Sequence, residues 1–469
     1  MTIGFVIKVI ATICELLIPM ALANMIDDIV PRKRVTLIFA WGGVMLFFSF
    51  GALIGNITAN RMASKVARNT TERIRYDLYE KISYLSTRQA EGFTMPSLIS
   101  RATTDTYNIH QMVGSIQRLG VRAPIMLFGG IFLTFTMDVS LTLVMIALLP
   151  IMAICVFFIS RKGIPMYGKV QEANDRFVRL MREDITGIRV IKALSKVDYE
   201  KTKFNQMNDE VVSKDQKAGL VMSAMNPLMS FLLNLGLVLI ILVGAYRVNS
   251  GKLSPGTIVA FMSYVTLILN AILFMSRLFV LLSKASASAR RIAIVLDSEP
   301  DLLKVPCEQE NRKEQIVFDH VSFCYAGKEM NLENINFSLK RGESLGIIGA
   351  TGAGKTTIIN LLMRFYDVTE GSIYIDGLDV RGYDPSVLRQ KFGTVFQNDI
   401  IFQDTIYENI RFSRNVTREQ VIKAVTCAQA LSFIQEKGLD SMLSIKGANL
   451  SGGQKQRLLI ARALAADPE

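Results

Sequence analysis

Six long apolar runs constrain the fold of this chain more than any other feature of its sequence. An α-helix needs about 20 apolar residues to cross the hydrocarbon core of a bilayer, and each run has roughly this length. The mean hydropathy of +0.31 and the 50% share of hydrophobic residues are too high for a wholly soluble protein. The sequence therefore predicts six membrane spans. They cover residues 3–29, 35–57, 121–137, 139–159, 228–248 and 257–281.

Two long polar segments separate the spans, residues 61–120 and 161–221, and both are rich in Lys and Arg with helical periodicity. Positive charge favours the cytoplasmic side of a membrane. Each segment has about 60 residues, which allows two helices of roughly 40 Å, so we expect the spans to continue far into the cytosol. The basic cluster at residues 32–34 departs from this charge rule, because the predicted topology puts it outside.

Charged residues inside the spans are rare. Glu15 and Arg277 are the exceptions, and an ionisable group within a membrane marks a functional site by default. The sixth span leaves the bilayer near Arg277, so the alternative for this residue is a side chain that reaches the headgroups. Asp138 forms a tight polar turn between the third and fourth spans, which predicts a helical hairpin.

The composition changes after residue 282, where a polar helix leaves the membrane and a stretch rich in charge and proline follows. We predict a transmembrane domain with cytoplasmic helical extensions at 1–282, a linker at 283–314 and a soluble domain at 315–469. The net charge of +12 is explained by the membrane-proximal helices. Because the basic residues are not interleaved with exposed aromatics, we expect no nucleic-acid partner.

Cysteine and histidine chemistry is sparse. The five cysteines are scattered with no CxxC pair, so we expect free thiols and no disulfide framework. His110 and His320 are the only histidines, which is too few for a histidine-based metal site.

The soluble domain carries a phosphate-binding loop at residues 349–356, where glycines, a lysine and a threonine have the spacing GxxxxGK[ST]. The glycines let backbone N–H groups turn towards a phosphate, Lys355 can reach the β and γ oxygens, and the Thr356 hydroxyl can bind Mg²⁺. Residues 344–348 predict a short buried strand before the loop, and residues 357–363 predict a helix after it. A nucleoside triphosphate would then lie at a helix N-terminus.

A second strong motif, Asn-Leu-Ser-Gly-Gly-Gln-Lys-Gln-Arg, occupies residues 449–457 and precedes a predicted helix at 458–466. Ser451 can donate a hydrogen bond, and Gly452 and Gly453 leave their N–H groups bare. This is another helix N-terminus suited to phosphate oxygens. Two such helix ends in one chain indicate a shared nucleotide.

With these motifs the chain resembles ATP-binding-cassette (ABC) transporters, and six spans before one ABC domain resemble the half-transporters of multidrug and lipid exporters. The resemblance covers nearly the whole chain. It implies an all-α six-helix transmembrane domain followed by an α/β P-loop ABC domain that is incomplete at its C-terminus. It also implies an integral protein of the cytoplasmic membrane, in contact with lipid, whose ABC domain faces the cytoplasm.

The resemblance assigns two further residues to the nucleotide site. Residues 315–325 alternate like a strand, and the family has an aromatic that stacks on adenine at the position of Tyr325; a core tyrosine is the alternative. Residues 394–399 resemble the family's Q-loop, although Phe396 stands where proline is usual. Gln397 would ligate Mg²⁺ and orient water there.

The cofactors that the resemblance implies are ATP and Mg²⁺. Lys355 and Gln397 are the implied catalytic residues, and Thr356 and Gln397 are the implied Mg²⁺ ligands. The implied ATP-contacting residues are Tyr325, Gly349, Ala350, Thr351, Gly352, Ala353, Gly354, Lys355, Thr356, Thr357, Gln397, Ser451, Gly452, Gly453 and Gln454.

The implied function is ATP-driven export of hydrophobic or amphipathic substrates, drug-like or lipid-like, by alternating access. The implied partner is a second half-transporter, identical or different, because in the family the signature of one domain closes on ATP held by the other. We predict coupling helices, which pass domain closure to the spans, at residues 101–106 and 187–193. Residues 442–446 lack the acids usual in exporters, so apolar packing can replace ionic contact there.

Two alternatives stay open: a regulatory half-transporter that does not hydrolyse ATP, and a nucleotide-gated channel. The chain ends at Glu469, where the family continues into the Walker B strand with its aspartate and the catalytic glutamate. His110 and His320 precede the P-loop, so neither can be the family's switch histidine. We therefore expect a truncated chain that is unstable and inactive by itself, and whose full-length form is the transporter.

Overall fold

The structure, a computed structural model, describes residues 2–325, 330–397 and 399–469, and only the backbone of Ser276. Asn398 of the predicted Q-loop lies outside the described residues. The chain divides into two compact units. The membrane unit contains residues 1–79 and 99–296, and the soluble unit contains residues 80–98 and 297–469.

Six helical segments of the described chain are long and apolar enough to cross a membrane, which confirms the predicted number of spans. Two uninterrupted α-helices have 49 and 48 residues. At 1.5 Å per residue each is about 70 Å long, so the expected extension beyond the bilayer is confirmed. The six segments are Thr2–Arg32, Val35–Ser83, Met95–Met137, Val139–Thr186, Val197–Asn249 and Pro255–Leu296.

Wider π-helical turns interrupt the first and third of these segments. Such turns close hydrogen bonds from residue i to i+5 and are frequent at functional sites. The π turns are Met25–Ile29, Arg101–Asp105, Ile116–Gly120 and Ile125–Gly129.

The α-helices up to the end of the membrane unit are α1 (Thr2–Asn24), α2 (Val35–Ser83), α3 (Thr87–Phe93), α4 (Met95–Ser100), α5 (Thr106–Ser115), α6 (Arg122–Pro124), α7 (Gly130–Met137), α8 (Val139–Thr186), α9 (Ile188–Ala193), α10 (Val197–Ser223), α11 (Met225–Asn249) and α12 (Pro255–Leu296).

The core of the membrane unit lies between α1, α8, α11 and α12. Tyr264 of α12 is completely buried, and its hydroxyl donates to the Leu16 carbonyl of α1 at 2.8 Å. The predicted hairpin is confirmed, because the Asp138 carboxylate caps α8 by accepting from Leu141 N at 2.9 Å. Arg247 of α11 pairs with the same carboxylate at 2.8 Å, which neutralises a buried charge.

The first cytoplasmic turn is not at residues 101–106, so that prediction is wrong. Residues 101–105 form a π turn inside the returning helix, and Asp105 is buried there. Its carboxylate accepts from Arg291 Nε and from the Ser288 hydroxyl of α12, both at 2.8 Å. These contacts fix the segment within the helical bundle instead of exposing it at a turn.

The chain reverses instead around α3, which belongs to the soluble unit. The Ser86 hydroxyl accepts from Gln89 N at 3.1 Å, and Gln89 Oε1 accepts from Ser86 N at 3.2 Å. This reciprocal capping box starts the helix. The second turn is confirmed, since α8 is capped at Gly187 and α9 follows directly.

The soluble unit begins with a four-stranded antiparallel sheet in the order β2-β1-β3-β4. β1 (Ile316–Phe323) confirms the strand predicted from alternation. It pairs on one side with β2 (Leu332–Leu339) and on the other with β3 (Glu370–Ile375). The short β4 (Leu378–Asp379) completes the sheet.

The buried strand predicted at residues 344–348 is absent, and so is a strand at residues 392–396. Ile348 is 98% exposed. A strand needs a hydrogen-bonded neighbour on at least one side, and within the described residues no strand runs beside either segment. The apolar sequence of these segments is therefore present without the sheet that would bury it.

Two hydrophobic clusters stabilise the soluble unit. The first joins the sheet to α13, with Phe318 and Leu361 at its centre. The second joins α15 to α18, with Ile410 and Leu458 fully buried. The helices are α13 (Lys355–Leu362), α14 (Pro385–Gln390), α15 (Ile406–Arg411), α16 (Arg418–Cys427), α17 (Leu431–Lys437) and α18 (Gly452–Leu464).

Arg364, just after α13, is fully buried and holds distant parts of the soluble unit together. Its Nη2 donates to the Leu303 carbonyl at 2.7 Å, and its Nε donates to Asp367 at 2.8 Å. Its Nη1 donates to the carbonyls of Arg381 and Tyr383 at 3.2 and 3.3 Å. One guanidinium thus satisfies three backbone acceptors from two separate segments.

We expect Arg364→Met to lower the free energy of unfolding of the soluble unit by at least about 3 kcal/mol, because the carbonyls and Asp367 lose a charged donor. Thermal unfolding of the detergent-purified protein measures the change. Arg418→Met is the matched control, since Arg418 pairs with Asp440 at an exposed site and should change stability little. Equal shifts for both variants would contradict the role of Arg364.

Candidate functional site

The phosphate-binding loop is exposed and leads directly into α13, which confirms the predicted helix and starts it two residues earlier. Gly352 and Gly354 have left-handed φ angles of 89° and 82°. A Cβ at Gly354 would lie 2.5 Å from Leu332 Cδ2 of β2. Glycine is required there both for the backbone angle and for the close approach to the sheet.

Lys355 begins α13, and its side chain folds back over the loop. Its Nζ donates to the Gly349 and Ala350 carbonyls at 2.8 and 2.7 Å. The first N–H groups of a helix have no partner within that helix. The ammonium and these N–H groups therefore make a positive cradle that fits a phosphate, with the exposed Thr356 beside it.

Tyr325 lies just past β1 and contacts the helix that follows the loop. Its hydroxyl donates to Thr357 Oγ1 at 3.1 Å. Its ring packs edge-on against Phe323 and Tyr366, with centroids 4.7 and 5.1 Å away. The residue is only half-buried, so part of the ring is accessible next to the P-loop helix.

Gln397 is exposed in a turn. The adjacent Phe396 packs on Phe365, with ring centroids 6.2 Å apart, and Phe365 lies just after α13. Asp399, the last residue of this segment, pairs with Arg462 of α18 at 4.0 Å, and the Ile400 carbonyl accepts from Arg462 Nη1 at 2.9 Å. The Q-loop segment therefore contacts both the region of the P-loop helix and the helix of the second motif.

Ser451 is the N-cap of α18, which begins at Gly452 and so includes most of the motif that we expected to precede the helix. The Ser451 hydroxyl accepts from Gln454 N at 3.3 Å, and Gln454 Oε1 accepts from Ser451 N at 2.9 Å. Gly452 and Gly453 are exposed, and apart from the neighbouring residues and the backbone of α18, no atom lies within 4 Å of a Cβ built at either. This helix end is open to a ligand.

The structure brings together some of the predicted site residues. Tyr325 contacts Thr357, so it lies beside the P-loop helix α13. Gln397 is next to Phe396, whose ring packs on Phe365 just after the same helix. Ser451, Gly452 and Gly453 begin the helix of the other hydrophobic cluster. Among the contacts of the described residues, none joins them to the P-loop of the same chain.

One contact was missed by the sequence interpretation. The Tyr366 hydroxyl donates to Glu91 Oε1 of α3 at 2.9 Å, and the Tyr366 ring also touches Tyr325. Burial, and then the neighbouring Glu91, raise the pKa of the Tyr366 phenol. A cavity of about 720 Å³ is lined by Glu91, Tyr325, Tyr366 and Arg88. The Ser86-x-x-Gln89 capping box was the signal that could have located α3.

Two family models match most of the chain. The ABC transporter transmembrane region matches residues 1–272, and the ABC transporter domain matches residues 332–469. The chain belongs to the ABC transporter family. One transmembrane region followed by one ABC domain makes it a half-transporter of the exporter type.

Similar proteins agree with this assignment. An uncharacterised ABC transporter ATP-binding protein of Mycobacterium tuberculosis is 31% identical over 98% of this chain and 81% of its own length. The ATP-dependent lipid A-core flippase of Desulfotalea psychrophila is 32% identical over 90% of this chain and 74% of its own.

A solved structure of a bacterial Atm1-family ABC exporter with ATP bound has the same fold, with a TM-score of 0.81 over 100% of this chain and 84% of that chain. The sequences are 21% identical. The predicted fold class is thus confirmed. This ABC transporter is an integral membrane protein with its ATPase domain on the cytoplasmic side.

If the Tyr325 ring stacks on adenine, Tyr325→Ala should weaken ATP binding by roughly 1–3 kcal/mol, whereas Tyr325→Trp keeps a stacking face. Tyr325→Phe separates the ring from the hydroxyl contact to Thr357. Titration with a fluorescent ATP analogue measures the three affinities. Unchanged affinity in Tyr325→Ala, together with a lower unfolding temperature, would make Tyr325 a core residue.

Proposed function

We propose that this chain is one half of a dimeric exporter that moves hydrophobic or amphipathic substrates, drug-like or lipid-like, by alternating access. One observation carries the proposal. Two helices with glycine at their N-termini, α13 after Gly354 and α18 at Gly452, belong to separate hydrophobic clusters of the soluble unit. The loop before α13 and the start of α18 are both exposed. In a dimer, the start of α18 in one half-transporter can contact the ATP that the P-loop of the other half-transporter binds.

In this proposal the phosphates of ATP bind residues 349–357, with Lys355 facing the β and γ oxygens. The glycine angles and the folded-back ammonium fit that role. Thr356 and Gln397 would hold Mg²⁺, which supplies charge neutralisation at the phosphates. Gln397 is exposed and uncharged, so it can approach or leave the metal without burying a charge.

Exposed apolar side chains outside the bilayer support the proposed coupling between the ABC domains and the spans. Around α9, Val190, Leu194 and Tyr199 are exposed and line a cleft of about 340 Å³. Met442 and Ile445, in the segment that lacks acids, are also exposed. Exposed apolar side chains away from lipid indicate protein contacts. We propose that these surfaces carry domain closure to the spans through apolar packing.

The spans and one relative support the proposed substrate class. Charges within the spans are few, so the translocation path favours hydrophobic or amphipathic molecules. The relative from Desulfotalea psychrophila is named a lipid A-core flippase. A lipid-like substrate fits both observations.

Lys355→Ala should weaken ATP binding tenfold to a hundredfold, roughly the value of a charge-assisted hydrogen bond of about 1.5–3 kcal/mol. Photolabelling with 8-azido-ATP in membrane vesicles measures it. Lys340→Ala, at an exposed lysine of the same unit, is the control and should label like the parent. Parent-level labelling of Lys355→Ala would show that another residue holds the phosphates.

Dimerisation is tested by mixing two inactive variants, Lys355→Ala and Ser451→Arg. The first keeps an intact signature and the second keeps an intact P-loop, so a mixed dimer contains one complete site. Introduced into the natural transporter, each variant alone should lack ATP-dependent transport, and the co-expressed pair should regain part of it. Absence of recovery, with both variants present and folded in the membrane, would mean that a second copy is not the partner.

A further inference from the structure

The Tyr325 ring is held by two other aromatic rings of the soluble unit. Its centroid lies 4.7 Å from that of Phe323 and 5.1 Å from that of Tyr366, at interplanar angles of 83° and 87°. Phe323 and Tyr366 also pack on each other, with centroids 5.7 Å apart. In this aromatic triad each ring contacts the other two. The Tyr325 ring therefore cannot change its plane without displacing a neighbour.

Tyr366 is the member of the aromatic triad that needs a polar partner. It is only 7% exposed, and it carries a hydroxyl. A buried hydroxyl without a hydrogen bond is costly, so it turns towards a partner or towards water. Here the partner is Glu91 Oε1 of α3, which accepts from the Tyr366 hydroxyl at 2.9 Å. Burial and this carboxylate raise the pKa of the phenol, so the hydroxyl keeps its proton and remains the donor.

α3 is itself fixed by contacts within the soluble unit. Gln89 Nε2 donates to the Glu299 carbonyl at 2.5 Å, and the Ser86 hydroxyl donates to Asp301 Oδ2 at 2.9 Å. Both acceptors belong to the segment that precedes β1. These two contacts keep the Glu91 carboxylate at the aromatic triad.

At its hydroxyl end Tyr325 is tied to the helix that follows the phosphate-binding loop. The hydroxyl donates to Thr357 Oγ1 at 3.1 Å and accepts from Asn360 Nδ2 of α13 at 3.4 Å. The ring itself lines the cavity of about 720 Å³, so open space adjoins it. Tyr325 is thus fixed at both its ring and its hydroxyl, next to a cavity and beside the P-loop helix.

Stacking on a base depends on the plane of the ring, because the attraction comes from contact between two flat faces. A ring that turns freely loses conformational freedom when a ligand binds, whereas a ring that is already held loses little. Residues that hold the Tyr325 ring can therefore raise the affinity for a base without touching it.

We propose that Tyr366 is a positioning residue for the base of ATP, and that Glu91 of α3 holds Tyr366 so that the Tyr325 ring is ready to stack. Without Glu91 the buried Tyr366 hydroxyl loses its partner and the ring turns away, which removes one of the two supports of Tyr325. The inference goes beyond the proposed export function and rests on the stacking of adenine on Tyr325. It concerns the base alone, because the phosphates are assigned to residues 349–357.

Separate titrations with ATP and with inorganic tripolyphosphate test the inference, since tripolyphosphate has the phosphates but no base. The variants are introduced into the natural transporter, purified in detergent and titrated by calorimetry. Tyr366→Leu should weaken ATP binding about fivefold or more and change tripolyphosphate binding by less than about twofold. Tyr374→Leu is the matched control, because Tyr374 is a half-buried tyrosine of the same sheet whose ring contacts Arg312. It should bind both ligands like the parent.

Variants of Glu91 test the hydrogen bond and leave the aromatic triad intact. Glu91→Ala should weaken ATP binding about threefold or more, whereas Glu91→Gln keeps an acceptor oxygen and should bind like the parent. Glu91 is exposed, so these variants test the inference even if Tyr366→Leu unfolds. Glu436→Ala, at an exposed glutamate of α17, is the control and should change neither affinity.

A double-mutant cycle separates positioning from general destabilisation. Tyr325→Ala removes the stacking ring. If Tyr366 acts through that ring, Tyr366→Leu and Glu91→Ala should cause no further loss of ATP affinity in this background. Additive losses would overturn the inference. Equal weakening of ATP and tripolyphosphate in Tyr366→Leu and Glu91→Ala would also overturn it, because the effect would then be on the whole soluble unit.

The same titrations distinguish failure of the inference from failure of the stacking on which it rests. Parent-like ATP binding in Tyr325→Ala would reject the stacking and, with it, the role of Tyr366. Weaker ATP binding in Tyr325→Ala, with parent-like binding in Tyr366→Leu and Glu91→Ala, would reject the role of Tyr366 alone. Transport is not measured in these titrations, so the export function is decided separately by the co-expressed variants.

Discussion

The fold of the membrane unit depends on one constraint: inside a bilayer every backbone N–H and C=O must find its partner within the protein. Helices meet this requirement locally, which is why six apolar runs become helical segments that need no sheet to support them. The same helices extend as far as 49 residues, so their polar ends project beyond the hydrocarbon. Because its backbone hydrogen bonds are all made within the helix, one continuous helix can extend from the bilayer into the cytosol.

The soluble unit follows a different rule, since its strands depend on neighbours. β1 has partners on both sides and is regular, whereas residues 344–348 have none among the described residues and remain irregular. The phosphate-binding loop nevertheless keeps its shape. Its geometry comes from the left-handed Gly352 and Gly354 and from the start of α13, and these are local features.

This contrast explains how much could be predicted from the sequence. The six spans, the Asp138 hairpin, β1 and the helix ends at Gly354 and Gly452 depend on local patterns, and the predictions agree with the structure apart from their limits. The strand at 344–348 depended on a distant partner, so hydrophobicity alone could not establish it. The first cytoplasmic turn was misplaced at residues 101–106, a position taken from the family resemblance, whereas the Ser86–Gln89 capping box marks the helix around which the chain reverses.

The position of α3 also bears on how the nucleotide site could communicate with the cytoplasmic helices. Tyr325 touches Tyr366, and Tyr366 donates to Glu91 of α3, so two contacts lead from the proposed adenine platform to the loop between α2 and α4. Both contacts are within the soluble unit. A ring that moves when a base stacks on Tyr325 would change the hydrogen bond to Glu91. If a base stacks on Tyr325, the aromatic pair would link the nucleotide to α3, which follows the long helix α2 in the chain.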